Sequence, residues 1–249
     1  MTKVKVALCF SGAIGIVEGP MLAVNSIYRS RNYIDYKKCY NSTKKFIIEP
    51  NQEKYEIDTF CHCWTPTLEK EIVELYSPKK SVFEDNVQYN ILISELCNQA
   101  GDFSGISKAL SMKKSIELKE AYEAEHNITY DITIVYRYDI LLWKQLVLDT
   151  YINLDQTMYV SAGANRNGEM HFVMSNTVAR DFKNLIDSIK LGNKYRVHSW
   201  IQTYVVAFMK LKIKDDSIFA GVHQEVFRKV GEYSIGRGHL TMEQFKTLF

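Results

Sequence analysis

Three short polar endings carry the residue types in this sequence that could do chemistry. An apolar run from Val4 to Phe10 ends in Ser11-Gly12. A second run, Ile57 to Trp64, ends in His62, Cys63 and Trp64, and a third, Ile132 to Tyr136, ends in Arg137, Tyr138 and Asp139. A carboxylate such as Asp139 at a strand end can hold Mg²⁺ or Mn²⁺, which take oxygen ligands from one or two carboxylates together with phosphate oxygens. The plainer reading of Asp139 is a strand-end cap; the metal role is the one taken here. Arg137, two residues earlier, offers a forked guanidinium that matches phosphate or a carboxylate. Such parts suit a leaving diphosphate, whose charge grows as its bond to a sugar breaks and is neutralised by a cation and a basic side chain. Lys113 and Lys114, near the start of a helical stretch, could face the same diphosphate, although a solvated helix face is the plainer reading of both.

These endings work together only if one fold gathers them. Val4 to Phe10, Ile57 to Trp64 and Lys80 to Phe83 read as strands, and Ile132 to Tyr136, a continuous β-forming run, reads as a strand buried on both faces. Met158 to Ser161, Met170 to Met174 and Ser217 to Ala220 are further strands. Helices are expected from Pro20 to about Arg31, from Pro66 to about Tyr76, over 86–98 and 105–126, and over Thr177–Lys190 and His198–Leu211. Residues 32–54, polar and poorly periodic, read as a long loop. Strands alternating with helices imply an α/β protein with a Rossmann-type, mostly parallel, doubly wound sheet. In such a sheet, ligands lie beyond the carboxyl ends of the strands, where all three polar endings fall.

Bulk composition removes several alternatives. The net charge of +2 and the scattered lysine pairs do not make the basic stripe of a nucleic-acid binder. The five cysteines, at positions 9, 39, 61, 63 and 97, are odd in number and form no disulfide framework, which fits a reducing, cytoplasmic compartment. Cys61-His62-Cys63 invites a zinc reading but lacks a second ligand pair at a metal-site spacing. No apolar run reaches the ~20 residues of a membrane span, and the first residues lead into a strand instead of a secretion signal.

The order Val4–Gly12, Asp58-Thr59-Phe60-Cys61-His62-Cys63-Trp64, Ser107 to Glu123, and Tyr130-Asp131 through Arg137-Tyr138-Asp139 resembles a known family. These segments are similar to glycosyltransferases of the GT-A fold encoded in bacterial surface-polysaccharide clusters and in large DNA viruses of algae. The resemblance covers roughly residues 4–140. It implies one domain, with a nucleotide-sugar lobe over 1–140 and a less regular acceptor lobe over 141–249. It also implies Mn²⁺ or Mg²⁺ at Asp139, a UDP-sugar donor (xylose, glucose or galactose), an oligosaccharide acceptor and, for a viral member, the host cytoplasm. Phe10, Ser11 and Gly12 would line the nucleotide pocket, Trp64 would border it, and Ser111 and Lys114 would lie near ribose or diphosphate, with Arg137 beside them. Arg137 stands where the family's commoner motif has its first Asp, so a second metal ligand must come from elsewhere. His198, His223 and His239 are the candidates, with His198 taken first. The base that takes the acceptor proton is expected just before the strand near Met170, at Glu169 or else His171. Tyr159, Trp200 and Tyr204 could stack on the acceptor or pack in the core.

Two other functions compete. An NAD(P)-dependent short-chain oxidoreductase would use the glycines between Ser11 and Gly19, but their spacing is not that of a dinucleotide fingerprint. The pair Tyr40 and Lys44 falls too early in the chain for that family's catalytic residues. A non-catalytic nucleotide-sugar-binding protein would explain the missing first carboxylate, since a fold by itself does not establish activity.

Overall fold

The structure, a computed structural model, describes residues 3–14, 36–100, 103–142, 144–161, 171–189, 201, 204–216 and 224–226. Strand β1 (Val4–Gly12) is followed by α1 (Tyr36–Thr43), a π-helical turn over Lys44–Ile48, β2 (Tyr55–Cys63), α2 (Glu69–Tyr76) and β3 (Lys80–Phe83). Next come a 3₁₀ turn over Asn86–Tyr89, α3 (Asn90–Ala100), α4 (Phe103–His126), β4 (Ile132–Arg137) and β5 (Ile140–Leu142). The remainder comprises β6 (Thr157–Ser161), β7 (His171–Ser175), α5 (Asn176–Phe182), α6 (Leu185–Ile189), a π-helical turn over Tyr204–Phe208, β8 (Lys212–Asp216) and β9 (Gln224–Val226).

Seven strands form one sheet in the order β3-β2-β1-β4-β7-β6-β8, and β5 pairs with β9 in a separate ribbon. β3, β2, β1 and β4 are mutually parallel, β7 runs antiparallel to both β4 and β6, and β8 is parallel to β6. This is the mixed α/β, mostly parallel architecture that the alternation of elements predicts.

Alternation along the strands sorts side chains onto two cores. Ala7, Cys9, Phe60, Trp64 and Val135 pack beneath α3, α4 and α5. Val6, Leu8, Phe10, Cys61, Cys63, Ile134 and Tyr136 face the opposite layer with Tyr76 and the 140–151 segment. β1 is central and buried on both faces, so its sequence is a nearly unbroken apolar run. Cys61 and Cys63 therefore lie in one core while His62 points into the other layer, which removes the zinc reading of the triplet. All five cysteines are free.

Several elements differ from the expectation. Residues 36–48 are helical and not a loop. α1 buries Cys39, Ser42 and Thr43 and no large apolar side chain, so it has no hydrophobic stripe to read. Tyr36 and Tyr40 pack against the core, and the Ser42 hydroxyl ties the helix to β5, donating to the Leu142 carbonyl at 3.0 Å and accepting from the Leu142 amide at 2.6 Å. The helix expected over Thr177–Lys190 breaks between α5 and α6, and within His198–Leu211 the described residues include a π-helical turn. β8 (Lys212–Asp216), where no element was expected, is a sheet edge whose sequence KIKDD holds one apolar residue; charge is common on edge strands because it discourages further pairing. The helix expected from Pro20 and the strand at Ser217–Ala220 lie outside the described residues, and so does Trp200. Among the described residues, no helix is long and apolar enough to cross a membrane.

Candidate functional site

Because β3, β2, β1 and β4 are parallel and β7 enters from the opposite direction, five strands place polar residues along one sheet edge. In spatial order these are Glu84 after β3, Trp64 after β2, Gly12 at the end of β1, Arg137 and Asp139 at and beyond the end of β4, and His171 at the start of β7. The register aligns them: Ser11 lies opposite His62 on one side and Arg137 on the other, and Tyr136 lies opposite His171.

Gly12 has φ +115°, a backbone conformation that side chains on L residues disfavour. Among the described residues, a Cβ built there would meet nothing within 4 Å. Both of its backbone polar groups are engaged. Its carbonyl accepts the Trp64 amide at 3.0 Å, and its amide donates to Ser111 Oγ on α4 at 2.7 Å. The loop beyond is tied down by the Ile14 amide, which donates to Thr65 Oγ1 at 2.9 Å.

Ser111 is fully buried and leads into a chain of polar side chains. His62 Nδ1 lies 2.7 Å from Ser111 Oγ, and His62 Nε2 lies 3.0 Å from Glu84 Oε1. Glu84 also meets Lys114 Nζ at 2.9 Å and accepts from Gln88 Nε2 at 2.7 Å and Tyr89 Oη at 3.1 Å. Burial lowers the His62 pKa to about 4, so the ring is neutral at physiological pH. Burial works to raise the Glu84 pKa, but the hydrogen bonds from His62 and Lys114 outweigh it and hold the carboxylate below its ordinary value. An ionised carboxylate only accepts, so the His62 proton sits on Nε2, Nδ1 accepts the Ser111 hydroxyl proton, and the Ser111 oxygen is left to accept from Gly12.

Arg137 and Asp139 form a bidentate pair. Arg137 Nε donates to Asp139 Oδ1 at 2.7 Å, and its Nη2 donates to Oδ2. Asp139 is 7% exposed, and the Arg137 side chain is the more open member of the pair. A carboxylate has about four acceptor positions, of which the guanidinium takes two. The remaining ones suit a single-carboxylate ligand to a cation that arrives with phosphate oxygens. The adjacent guanidinium opposes a bare dication, and among the described residues no group of three ligating side chains could hold one.

The structure corrects several expectations. Phe10 does not line an open pocket: it packs edge-on against Tyr76 at 4.7 Å and stacks on Tyr138 at 5.3 Å inside the core. Ser11 is sealed, with its hydroxyl 3.5 Å from the Tyr136 carbonyl. Trp64 lies under the edge, its indole N–H donating to the Ser107 carbonyl at 3.3 Å and its ring edge-on to His62 at 4.4 Å. Lys114 does not await a diphosphate: its ammonium donates to Tyr89 Oη at 2.7 Å and is paired with Glu84. Lys113 is paired with Asp187 at 2.6 Å. Ser111 cannot reach ribose, because it is buried and its hydroxyl is committed on both sides. His171 is fully buried, 6.4 Å from the Tyr136 ring, and is not open to an acceptor. Tyr159 and Tyr204 pack in the core. Glu169, His198, His223 and His239 lie outside the described residues.

Sequence reasoning missed Glu84 and the role of His62. A lone Glu after a short strand carries no signal of its own, and its meaning comes from a helix that begins 19 residues later.

No family model matches the chain, and no curated protein matches it. Among solved structures it is similar to a protein of Desulfovibrio desulfuricans G20 described as a "putative nucleotide-diphospho-sugar transferase". The similarity covers 86% of this chain and 80% of that one, at 12% sequence identity and a TM-score of 0.41. A likeness that distant transfers neither activity nor residue roles.

Proposed function

We propose that this chain is a glycosyltransferase that moves a sugar from a nucleoside-diphosphate donor to a glycan acceptor. One observation carries the reading: the Arg137–Asp139 pair stands beside the Ser11-Gly12 strand end, with Arg137 in register with Ser11, at the carboxyl ends of parallel strands. The sequence resemblance over residues 4–140 supports it independently. In this reading residues 1–140 bind the donor and 141–249 the acceptor, and UDP is favoured over GDP on the resemblance alone.

Arg137 would stabilise the negative charge that develops on the diphosphate as the sugar leaves. Asp139 would hold Mn²⁺ or Mg²⁺ through its remaining lone pairs, with His198 as a second protein ligand. The cation would supply further charge neutralisation when bound together with the nucleotide. Arg137 also fixes the Asp139 carboxylate in one orientation. Glu169 takes the acceptor proton, since His171 is sealed inside the sheet.

The test is thermal unfolding with UDP or GDP, each with and without Mn²⁺, and with NADPH as the oxidoreductase control. At a nucleotide concentration about 100 times Kd, binding adds roughly 2.7 kcal/mol of stability, a rise of roughly 5–10 °C for a chain of this size. Mn²⁺ alone should shift the midpoint little and should add to the shift given by the nucleotide, because Asp139 offers a cation only part of a site. Stabilisation by NADPH and not by either nucleotide would reject the proposal. Nucleotide binding without transfer to any sugar acceptor, unchanged in Asp139→Ala, would favour a binding-only protein.

A further inference from the structure

His62, Ser111 and Glu84 form a hydrogen-bonded Ser–His–carboxylate chain, the combination that in hydrolases activates a serine. Here it cannot do so. Ser111 is wholly buried, and its oxygen already accepts the Gly12 amide. Glu84 accepts four hydrogen bonds, from His62, Lys114, Gln88 and Tyr89, which occupies all the acceptor positions a carboxylate has. Glu84 is therefore an anchor and neither a base nor a ligand. Each bond in the chain has a fixed direction: Glu84 accepts the Nε2 proton, His62 Nδ1 then accepts from Ser111, and Ser111 in turn accepts from Gly12 N–H. Gly12 has a positive φ, and no described atom lies within 4 Å of a Cβ added there.

We propose that His62 is a positioning residue for the donor site, acting through Ser111 to hold the Gly12 turn in the shape that receives the nucleoside diphosphate. This rests on the glycosyl-transfer reading above. The anchor chain runs across four parts of the fold, from the residue after β3 through β2 and α4 to the end of β1, so it ties together parts that backbone pairing alone leaves adjustable. At its outer end Lys114 donates to Tyr89 Oη at 2.7 Å and lies over the Tyr89 ring, 4.6 Å from its centroid.

Calorimetric binding of UDP with Mn²⁺ tests the proposal, alongside hydrogen exchange at the Gly12 amide. Ser111→Ala removes one hydroxyl and should weaken UDP roughly tenfold, the equivalent of about 1.4 kcal/mol, and should speed Gly12 exchange. His62→Leu should do the same. His62→Asn should recover most of both, because its amide oxygen attaches to Cγ as Nδ1 does and can accept from Ser111. In the wild type the ring nitrogen resonances should report an Nε2-protonated, Nδ1-bare imidazole. If Ser111→Ala binds UDP as tightly as the wild type, or if His62→Asn is no better than His62→Leu, the positioning role is overturned while the transferase reading stands. If the wild type binds neither UDP nor GDP, the transferase reading fails, and this inference fails with it.

Discussion

The buried neutral imidazole makes the acid stability of this protein calculable. His62 titrates near its ordinary value of 6.5 in the unfolded chain and at about 4 in the folded one, because burial penalises the charged ring. The folded pKa lies below the unfolded one, so the unfolded state takes up its proton first as pH falls. The stabilisation is complete above about pH 6.5 and is lost progressively down to about pH 4. Linkage gives a loss of about 2 kcal/mol from this group on going from pH 7.5 to pH 5, equivalent to roughly 4–8 °C in Tm for a chain of this size. The ring is not exposed to solvent, so screening does not discount the figure. The other five histidines add their own slopes, which is why the measurement must be a difference. Urea unfolding of the wild type and of His62→Asn at pH 7.5 and pH 5 supplies it. The variant is less stable at pH 7.5, and the gap should close by about 2 kcal/mol at pH 5. Glu84 does not confound that window, since its pKa lies below its ordinary 4.5. A gap that stays constant between the two pH values would refute the reasoning, because it would mean the folded ring protonates as easily as the unfolded one.

Gly12→Ala should destabilise the protein by roughly 1–3 kcal/mol, although no described atom lies within 4 Å of the new methyl, because the cost lies in the positive φ; denaturant midpoints measure it, and a neutral result would mean the turn is freely remodelled. Glu123→Leu should cost about 3–5 kcal/mol. That carboxylate accepts from the Tyr130 amide and Asn176 Nδ2, each at 2.8 Å, and pairs with Arg180 and the fully buried Lys119, so its loss strands a buried ammonium. The double change Lys119→Met with Glu123→Leu should recover part of that loss, and a double variant no more stable than Glu123→Leu would rule out the stranded charge as the cause.

The sequence made the polar sheet edge legible but not its wiring. Ser11-Gly12 and Arg137-Tyr138-Asp139 were visible because each follows an apolar run long enough to be a strand, and parallel strands bring their carboxyl ends to one side. Their neighbours were harder to read. Lys114 and Ser111 look available along a helix, yet one is held by Glu84 and the other by His62 and Gly12. Phe10 belongs to the core for the same reason that made β1 easy to find: a central strand is buried on both faces.

Local patterning therefore determined that this is an α/β chain whose polar strand endings share an edge, because burial imposes a period that one-dimensional order can display. Tertiary structure alone decided which of those side chains remain open to a ligand. Gly12, His62, Glu84 and Ser111 come from four separate elements, and the Gly12–Ser111 bond joins residues 99 positions apart. Hydrogen bonds form only at a distance of about 3 Å and in fixed directions. No spacing along the chain encodes such a meeting until the strands and α4 have packed.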